Sequence, residues 1–192
     1  MTVSPSTSKQ SLMVKALHRL SKAVPGKAMV DFGTPEDTLI ATLLSARTRD
    51  EQVIAVYPGL RKQFPTLQAL AEAKWQDIAS AISRIGLYQN KAKAVKGLAR
   101  ILLDQFNGKV PRTIEELIML PGVGRKTASC VLGYAFHIPA VAVDTHVFRI
   151  SHRLGWAKGK TPEVVEEELK KLEIIIEFSS ITSAKKILIF SP

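Results

Sequence analysis

One cysteine, Cys130, stands among 192 residues. An internal disulfide is therefore excluded, and so is a metal site built only from thiolates of this chain. Acids are missing from the start: none precedes Asp31, whereas Lys9, Lys15, Arg19, Lys22 and Lys27 all fall near or before it. That basic start has a faint transit-peptide character but lacks the apolar core of a secretory signal. It reads better as a Ser/Thr/Pro/Lys-rich disordered stretch over 1–10 and then a helix from about Ser11 to Ala23, with Leu12, Lys15, Ala16, Arg19 and Leu20 at helical spacing. No apolar run is long enough to cross a bilayer, and no amphipathic anchor stands out. Period-two alternation is also missing through the body of the chain, so the expected fold class is all-α. Acids are fewer than bases overall, 17 against 27, leaving a formal charge of +10. A surplus of that size suits a polyanionic partner and carries no information about fold.

What is present is enough apolar material, 46% of the residues, for one compact unit or two small lobes. Val24-Pro25-Gly26 breaks the chain. Thr34-Pro35-Glu36-Asp37 has the form of a helix start, with an N-cap, a first-turn proline and first-turn acids. The helix continues through Leu39, Ile40, Leu43 and Leu44 to Ser45–Asp50, where Asp50 is a candidate cap for a second helix through Val53, Ile54, Tyr57 and Leu60. Pro65-Thr66 opens a short helix to Ala73, and Trp75–Ser83 makes another. Ile85-Gly86-Leu87-Tyr88 is a turn, followed by a long helix from about Asn90 to Phe106 that stops at Asn107-Gly108. Its lysines 91, 93 and 96 read as a solvated basic face, with phosphate contact as the alternative.

The most informative stretch is Leu120-Pro121-Gly122-Val123-Gly124-Arg125-Lys126-Thr127-Ala128. Thr113 to Met119 reads as a short helix, with Thr113 as N-cap and Glu116 placed for a capping box. Arg125 to Phe136 reads as a second helix, apolar at Ala128, Val131, Leu132 and Ala135, with Cys130 as a small buried hydrophobe. Two glycines one residue apart permit a tight turn and clear side chains from the surface. Backbone N–H groups at a helix start then favour a phosphate. This is a helix-hairpin-helix, which holds a nucleic-acid backbone without reading its sequence. An ordinary helix–helix turn is the plainer alternative. Lys126, beside Arg125 in the first turn, is a candidate nucleophile for attack on a sugar carbon and Schiff-base formation. It is equally a candidate phosphate-binding cation, and position alone leaves the two open.

Beyond an extended segment over 138–143, Asp144 starts a helix through Val147, Ile150 and Leu154, and Asp is a favoured N-cap. Residues 155–160 form a loop before a helix from Thr161-Pro162-Glu163 to about Leu172. His18, His137, His146 and His152 show no metal-ligand spacing and read as structural.

The hairpin run, together with Val141-Ala142-Val143-Asp144-Thr145-His146-Val147-Phe148-Arg149, resembles endonuclease III, a DNA glycosylase and abasic-site lyase of the helix-hairpin-helix superfamily. Leu43-Leu44-Ser45-Ala46 and Ile85-Gly86-Leu87-Tyr88 with Lys91-Ala92 extend the resemblance, which covers about Thr38 to Leu172. It implies a two-lobed helical fold. One lobe of six helices would span 28–138 and carry the helix-hairpin-helix over 113–136. The other would join 1–27 to 139–192.

The resemblance also implies the site. Lys126 would be the nucleophile and Asp144 its carboxylate partner, facing each other in a cleft between the lobes. Gly122, Val123, Gly124 and Arg125 would hold phosphates. Leu87 would be an apolar wedge and Arg47 a plug facing the orphaned base, filling the gap left by a flipped nucleotide. The family often has Gln where this chain has Arg47. For Leu87, a core position beside a turn is the plainer alternative. Ser45 and Asp50 would support the loop.

The expected activity is removal of oxidised pyrimidines and cleavage at abasic sites in double-stranded DNA, by a cytoplasmic, nucleoid-associated monomer with no membrane partner. No cofactor is required for those steps, although a monovalent cation on hairpin carbonyls fits. Many members hold a [4Fe–4S] cluster on four C-terminal cysteines; one cysteine cannot. After Leu172 the resemblance fades, and Glu173–Phe178 and Ile187–Phe190 read as strands or displaced core in a divergent or truncated end. A non-catalytic helix-hairpin-helix protein has no need of Lys126 with Asp144, and members that only hydrolyse usually lack a lysine there. Both remain as alternatives.

Overall fold

The structure, a computed structural model, describes residues 32–138 and 140–171 together with Lys15 and Arg19. All regular structure among these residues is helical. The expected disordered start, the Val24-Pro25-Gly26 break, and the extended runs Glu173–Phe178 and Ile187–Phe190 lie outside the described residues. So does the N-terminal helix, apart from Lys15 and Arg19, which are helical and exposed. The chain divides into two compact units, Val30–Phe136 and a second made of Met1–Met29 with His137–Pro192.

In the first unit, α1 (Pro35–Ser45) is the central helix. Thr34 caps it by accepting the Asp37 N–H, and Pro35 takes the first position. Leu39, Ile40, Ala41, Leu43 and Leu44 are all at most 2% exposed, so the helix is covered on every side. Helix α2 (Asp50–Gln63) packs on it. Arg61 of α2 pairs with Glu36 and Asp37 at 2.8 Å each, and the Tyr57 hydroxyl donates to Asp37 at 2.7 Å. Burial, then that hydrogen bond, pushes the Tyr57 phenol far above its ordinary range. Asp50 does not cap α2. It is the first helical residue, and Arg49 occupies the N-cap without a side-chain bond.

Helices α3 (Leu67–Glu72) and α4 (Trp75–Ala81) both pack on α5 (Tyr88–Phe106). Helix α5 begins earlier than its sequence pattern suggests, directly after the turn residue Leu87. It ends where Asn107 and Gly108 both turn left-handed, with φ of 51° and 70°, and the Gly108 N–H closes back on the Leu102 carbonyl. Helix α6 (Ile114–Leu117) is shorter than expected, because beyond it the Met119 and Leu120 N–H groups bond the carbonyls three residues back, Glu116 and Leu117, in a tighter turn. Thr113 accepts the Glu116 N–H, and its hydroxyl donates to the Glu116 carboxylate. Helix α7 (Arg125–Phe136) packs on α1 and α6.

The described part of the second unit holds α8 (Thr145–Arg153) and α9 (Pro162–Lys171). They enclose a small core of Val141, Val147, Ala157, Val165 and Leu169, with Val143, Phe148 and Trp156 packed against it.

Candidate functional site

Helix α6 leads into the turn through Pro121, which lies 3.2 Å from where a side chain on Gly97 of α5 would begin. Gly122 has φ +77°. A Cβ there would stand 2.9 Å from the Ala94 Cβ and 3.2 Å from Leu43. Only glycine satisfies both the left-handed backbone and the approach to α5 and α1. Gly124 differs, since a Cβ on it would meet no atom within 4 Å. Its missing side chain therefore serves nothing inside the protein; it leaves open space above the turn. Val123 between them is only 6% exposed, and its N–H is spent on the Leu120 carbonyl at 3.1 Å. It anchors the turn from within. The Ala128 N–H bonds the Gly124 carbonyl at 2.9 Å, so α7 winds directly out of the second glycine. Arg125 and Lys126 occupy its first turn, half-buried and exposed respectively, at the positive end of the helix dipole.

Asp144 is the N-cap of α8. Its Oδ1 accepts the N–H groups of His146 and Val147, each at 2.9 Å, and the side chain is half-buried. The plain structural role expected for an Asp here is thus present, and it fixes where the carboxylate stands. Lys126 belongs to the first unit and Asp144 to the second.

Arg47 and Leu87 both sit in left-handed backbone, with φ of 54° and 57°. Leu87 is 55% exposed, so the core alternative for it does not hold; a large apolar side chain is presented outward from a strained turn. The two loops are neighbours, because a Cβ on Gly86 would lie 3.7 Å from the Arg47 carbonyl oxygen.

The solvated basic face expected on α5 holds for Lys93, which is exposed, but not for Lys91. Lys91 is buried at 6% exposure, and its Nζ donates to the Leu44 carbonyl at 2.7 Å and to the Thr48 hydroxyl at 2.5 Å. Burial alone pushes its amine below the ordinary lysine range. Lys93 lies over the Trp75 ring, 4.7 Å from its centroid. Lys96 donates to the carbonyl of Ala73. A signal for Lys91 was available: residues 91, 95, 98 and 102 share the apolar stripe of α5.

A cavity of about 620 Å³ bordered by Thr34, Glu36, Lys109, Arg112 and Phe136 contains none of these candidate residues. The residues present do not fit the iron–sulfur cluster of many related proteins. Cys130, the single cysteine of the sequence, is buried in the middle of α7. Among the described residues no three His, Cys, Asp or Glu side chains group to hold a metal ion, and no helix is long and apolar enough to cross a membrane.

The site thus consists of a helical unit in which a two-glycine turn launches a helix with a lysine in its first turn. The model of the HhH-GPD superfamily of base excision DNA repair proteins matches residues 40–173, and the chain belongs to that family. Within it, the chain is 51% identical over 138 residues to endonuclease III of Thermotoga maritima, covering 72% of this chain and 65% of that protein. To endonuclease III of Synechocystis sp. it is 44% identical over 167 residues, 86% of this chain and 76% of that protein. The chain thus spans about two thirds to three quarters of the length of these relatives. A solved structure of a trapped endonuclease III–DNA covalent intermediate, an estranged-adenine complex, superposes with a TM-score of 0.80 at 37% identity, covering 89% of this chain and 81% of that one.

Proposed function

We propose that this protein is a base-excision DNA glycosylase and abasic-site lyase of the endonuclease III type. Its substrates are oxidised pyrimidines such as thymine glycol, and abasic sites, in double-stranded DNA. The observation that carries the reading is Lys126, exposed in the first turn of α7 directly beyond the Gly122–Gly124 turn. That is where a backbone phosphate and a flipped sugar would both be reachable.

Phosphates dock at the turn around Gly122 and Gly124 and on Arg125, with Val123 holding the turn's shape. Leu87 and Arg47 fill the space left by the flipped nucleotide. The Lys126 amine attacks C1′, forming the C1′–N bond while the bond to the base breaks and the base leaves with its electron pair. Loss of a proton and opening of the sugar give the Schiff base. Removal of a proton from C2′ then expels the 3′ phosphate by β-elimination, and water releases the enzyme. Asp144 stabilises the positive charge that grows on the sugar or takes the lysine's proton. The chain's own side chains complete these steps. A monovalent cation on hairpin carbonyls would steady the turn. The protein acts as a cytoplasmic, nucleoid-associated monomer.

Sodium borohydride trapping on a duplex with a single abasic site tests this, comparing the wild type with Lys126→Ala. A covalent adduct in the wild type and none in the variant is expected. DNA binding without an adduct would overturn the lyase reading and leave a helix-hairpin-helix binding protein.

A further inference from the structure

We propose that Lys91 is a positioning residue that ties the loop carrying Arg47 to the loop carrying Leu87, so that both side chains are presented in one fixed register. The proposal rests on the reading of those loops as the elements that fill the gap in the DNA.

Helix α1 ends at Ser45. The last carbonyls of a helix have no acceptor role within it and need donors from elsewhere. The Leu43 carbonyl is taken by the Ala46 N–H at 3.3 Å and the Ser45 carbonyl by the Thr48 N–H at 3.0 Å. The Leu44 carbonyl between them is taken by Lys91 Nζ. Helix α1 has no base in its own last turn, so the cation that suits its negative end comes from α5, 47 residues on. The same Nζ reaches past the helix end to the Thr48 hydroxyl, next to Arg47. On its own helix, Lys91 is one turn from Leu87, because its N–H bonds the Leu87 carbonyl at 3.0 Å. One side chain therefore joins the start of α5 to the segment that follows α1.

Two further observations make that join consequential. Arg47 and Leu87 are both non-glycine residues held left-handed, a strained conformation that persists only where the surroundings enforce it. A Cβ on Gly86 would lie 3.7 Å from the Arg47 carbonyl oxygen and 3.9 Å from the Thr48 hydroxyl, so the two loops run side by side where Lys91 binds. The position also falls on the apolar stripe of α5, where a leucine or methionine would bury without desolvating a charge. A lysine there gives two directional bonds that an apolar residue does not, and arginine's planar fork is no equivalent for a compact amine.

The test uses Lys91→Met and, as a milder variant that leaves the Leu44 bond in place, Thr48→Val. In the free protein, native-state trypsin cleavage after the exposed Arg47 is measured against cleavage after Lys109. Lys91→Met should raise that ratio about ten-fold or more, and Thr48→Val less, through local opening of the loop. An unchanged ratio in both variants would overturn the proposal, and Thr48→Val decides alone if Lys91→Met does not fold. Single-turnover cleavage at an abasic site then forms a cycle with Leu87→Ala. Lys91→Met should slow the reaction about ten- to hundred-fold, and Leu87→Ala should add little in that background. Fully additive losses would show that Lys91 does not act through Leu87 and would overturn the assignment. A wild type that neither traps nor cleaves would overturn the functional reading instead, while the trypsin ratio still decides for Lys91.

Discussion

The two units hold their structure in different ways. In Val30–Phe136, large side chains are removed from water across many helices: Leu39, Ile40, Leu60, Leu70, Ile78, Leu98 and Leu102 are all fully buried. In the described part of the second unit, the core is five buried side chains, and polar bonds fix the loop beside it. The Glu168 carboxylate accepts the N–H groups of Lys158 and Gly159 at 2.8 and 2.9 Å. The His152 ring nitrogens contact the Phe148 and Gly159 carbonyls at 2.7 and 2.9 Å. Gly159 admits no side chain, since a Cβ would meet Val164 at 2.6 Å. Left-handed non-glycine residues occur in both units, at Arg47 and Leu87 in the first and at His137 in the second. The difference lies in the apolar core behind them, which is wide in the first unit and small in the described part of the second.

Core truncation should break the comparison most strongly. Leu98→Ala is expected to cost about 2–5 kcal/mol through lost burial and the cavity left behind. Val165→Ala should cost less, about 1–3 kcal/mol, because fewer atoms are removed. Denaturant melts of both variants check this, and equal losses would erase the contrast between the units.

The two glycines of the hairpin sharpen it next. Gly122→Ala should destabilise by about 1–3 kcal/mol, because the backbone is left-handed and the methyl group meets Ala94. Gly124→Ala meets nothing and should leave stability within about 0.5 kcal/mol. Its affinity for abasic duplex should nonetheless fall about ten-fold, as a methyl group would keep a phosphate away from the turn. Melting and fluorescence titration on the same two variants separate a fold-making glycine from a ligand-facing one.

Asp144 allows a similar separation in the second unit. Asn is as good an N-cap as Asp, so Asp144→Asn should keep stability, whereas Asp144→Ala should lose about 1 kcal/mol. Both should slow single-turnover base release by about a hundred-fold or more if the carboxylate charge serves the reaction. Activity retained in Asp144→Asn would reduce the residue to a cap.

The smallest effect concerns Glu168. The Lys158 and Gly159 N–H groups hold its carboxyl below the usual 4.5. Its contribution to stability is therefore complete above the unfolded value and is lost as pH falls through the folded one. Thermal melts from pH 7 to pH 3, a range chosen to span ordinary carboxyl titration, should show a slightly shallower acid-side decline in Glu168→Gln than in the wild type.

The parts of this fold that are legible in sequence are those whose cause is local. Thr34-Pro35 with two following acids marks the start of α1, and Arg125–Phe136 has the same bounds in sequence pattern and structure. Asp144 caps the helix it was expected to start. What escapes is what depends on distant partners. Lys91 reads as a solvent-facing lysine until the Leu44 carbonyl, 47 residues earlier, is placed beside it. Asp50 looks like a cap by residue type, but the helix takes it in as its first residue. The left-handed backbone at Arg47 and Leu87 carries no residue signature, since neither is glycine or asparagine. Leu87, in that turn, is exposed.

If Lys126 is the nucleophile, the amine launched by the glycine turn is the group that becomes bonded to DNA. The most direct measurement is to trap the protein on an abasic duplex with borohydride, digest it, and locate the modified residue by mass spectrometry. A reduced sugar adduct is expected on the peptide containing Lys126. An adduct on any other amine, such as Lys91 or the N-terminus, would contradict it.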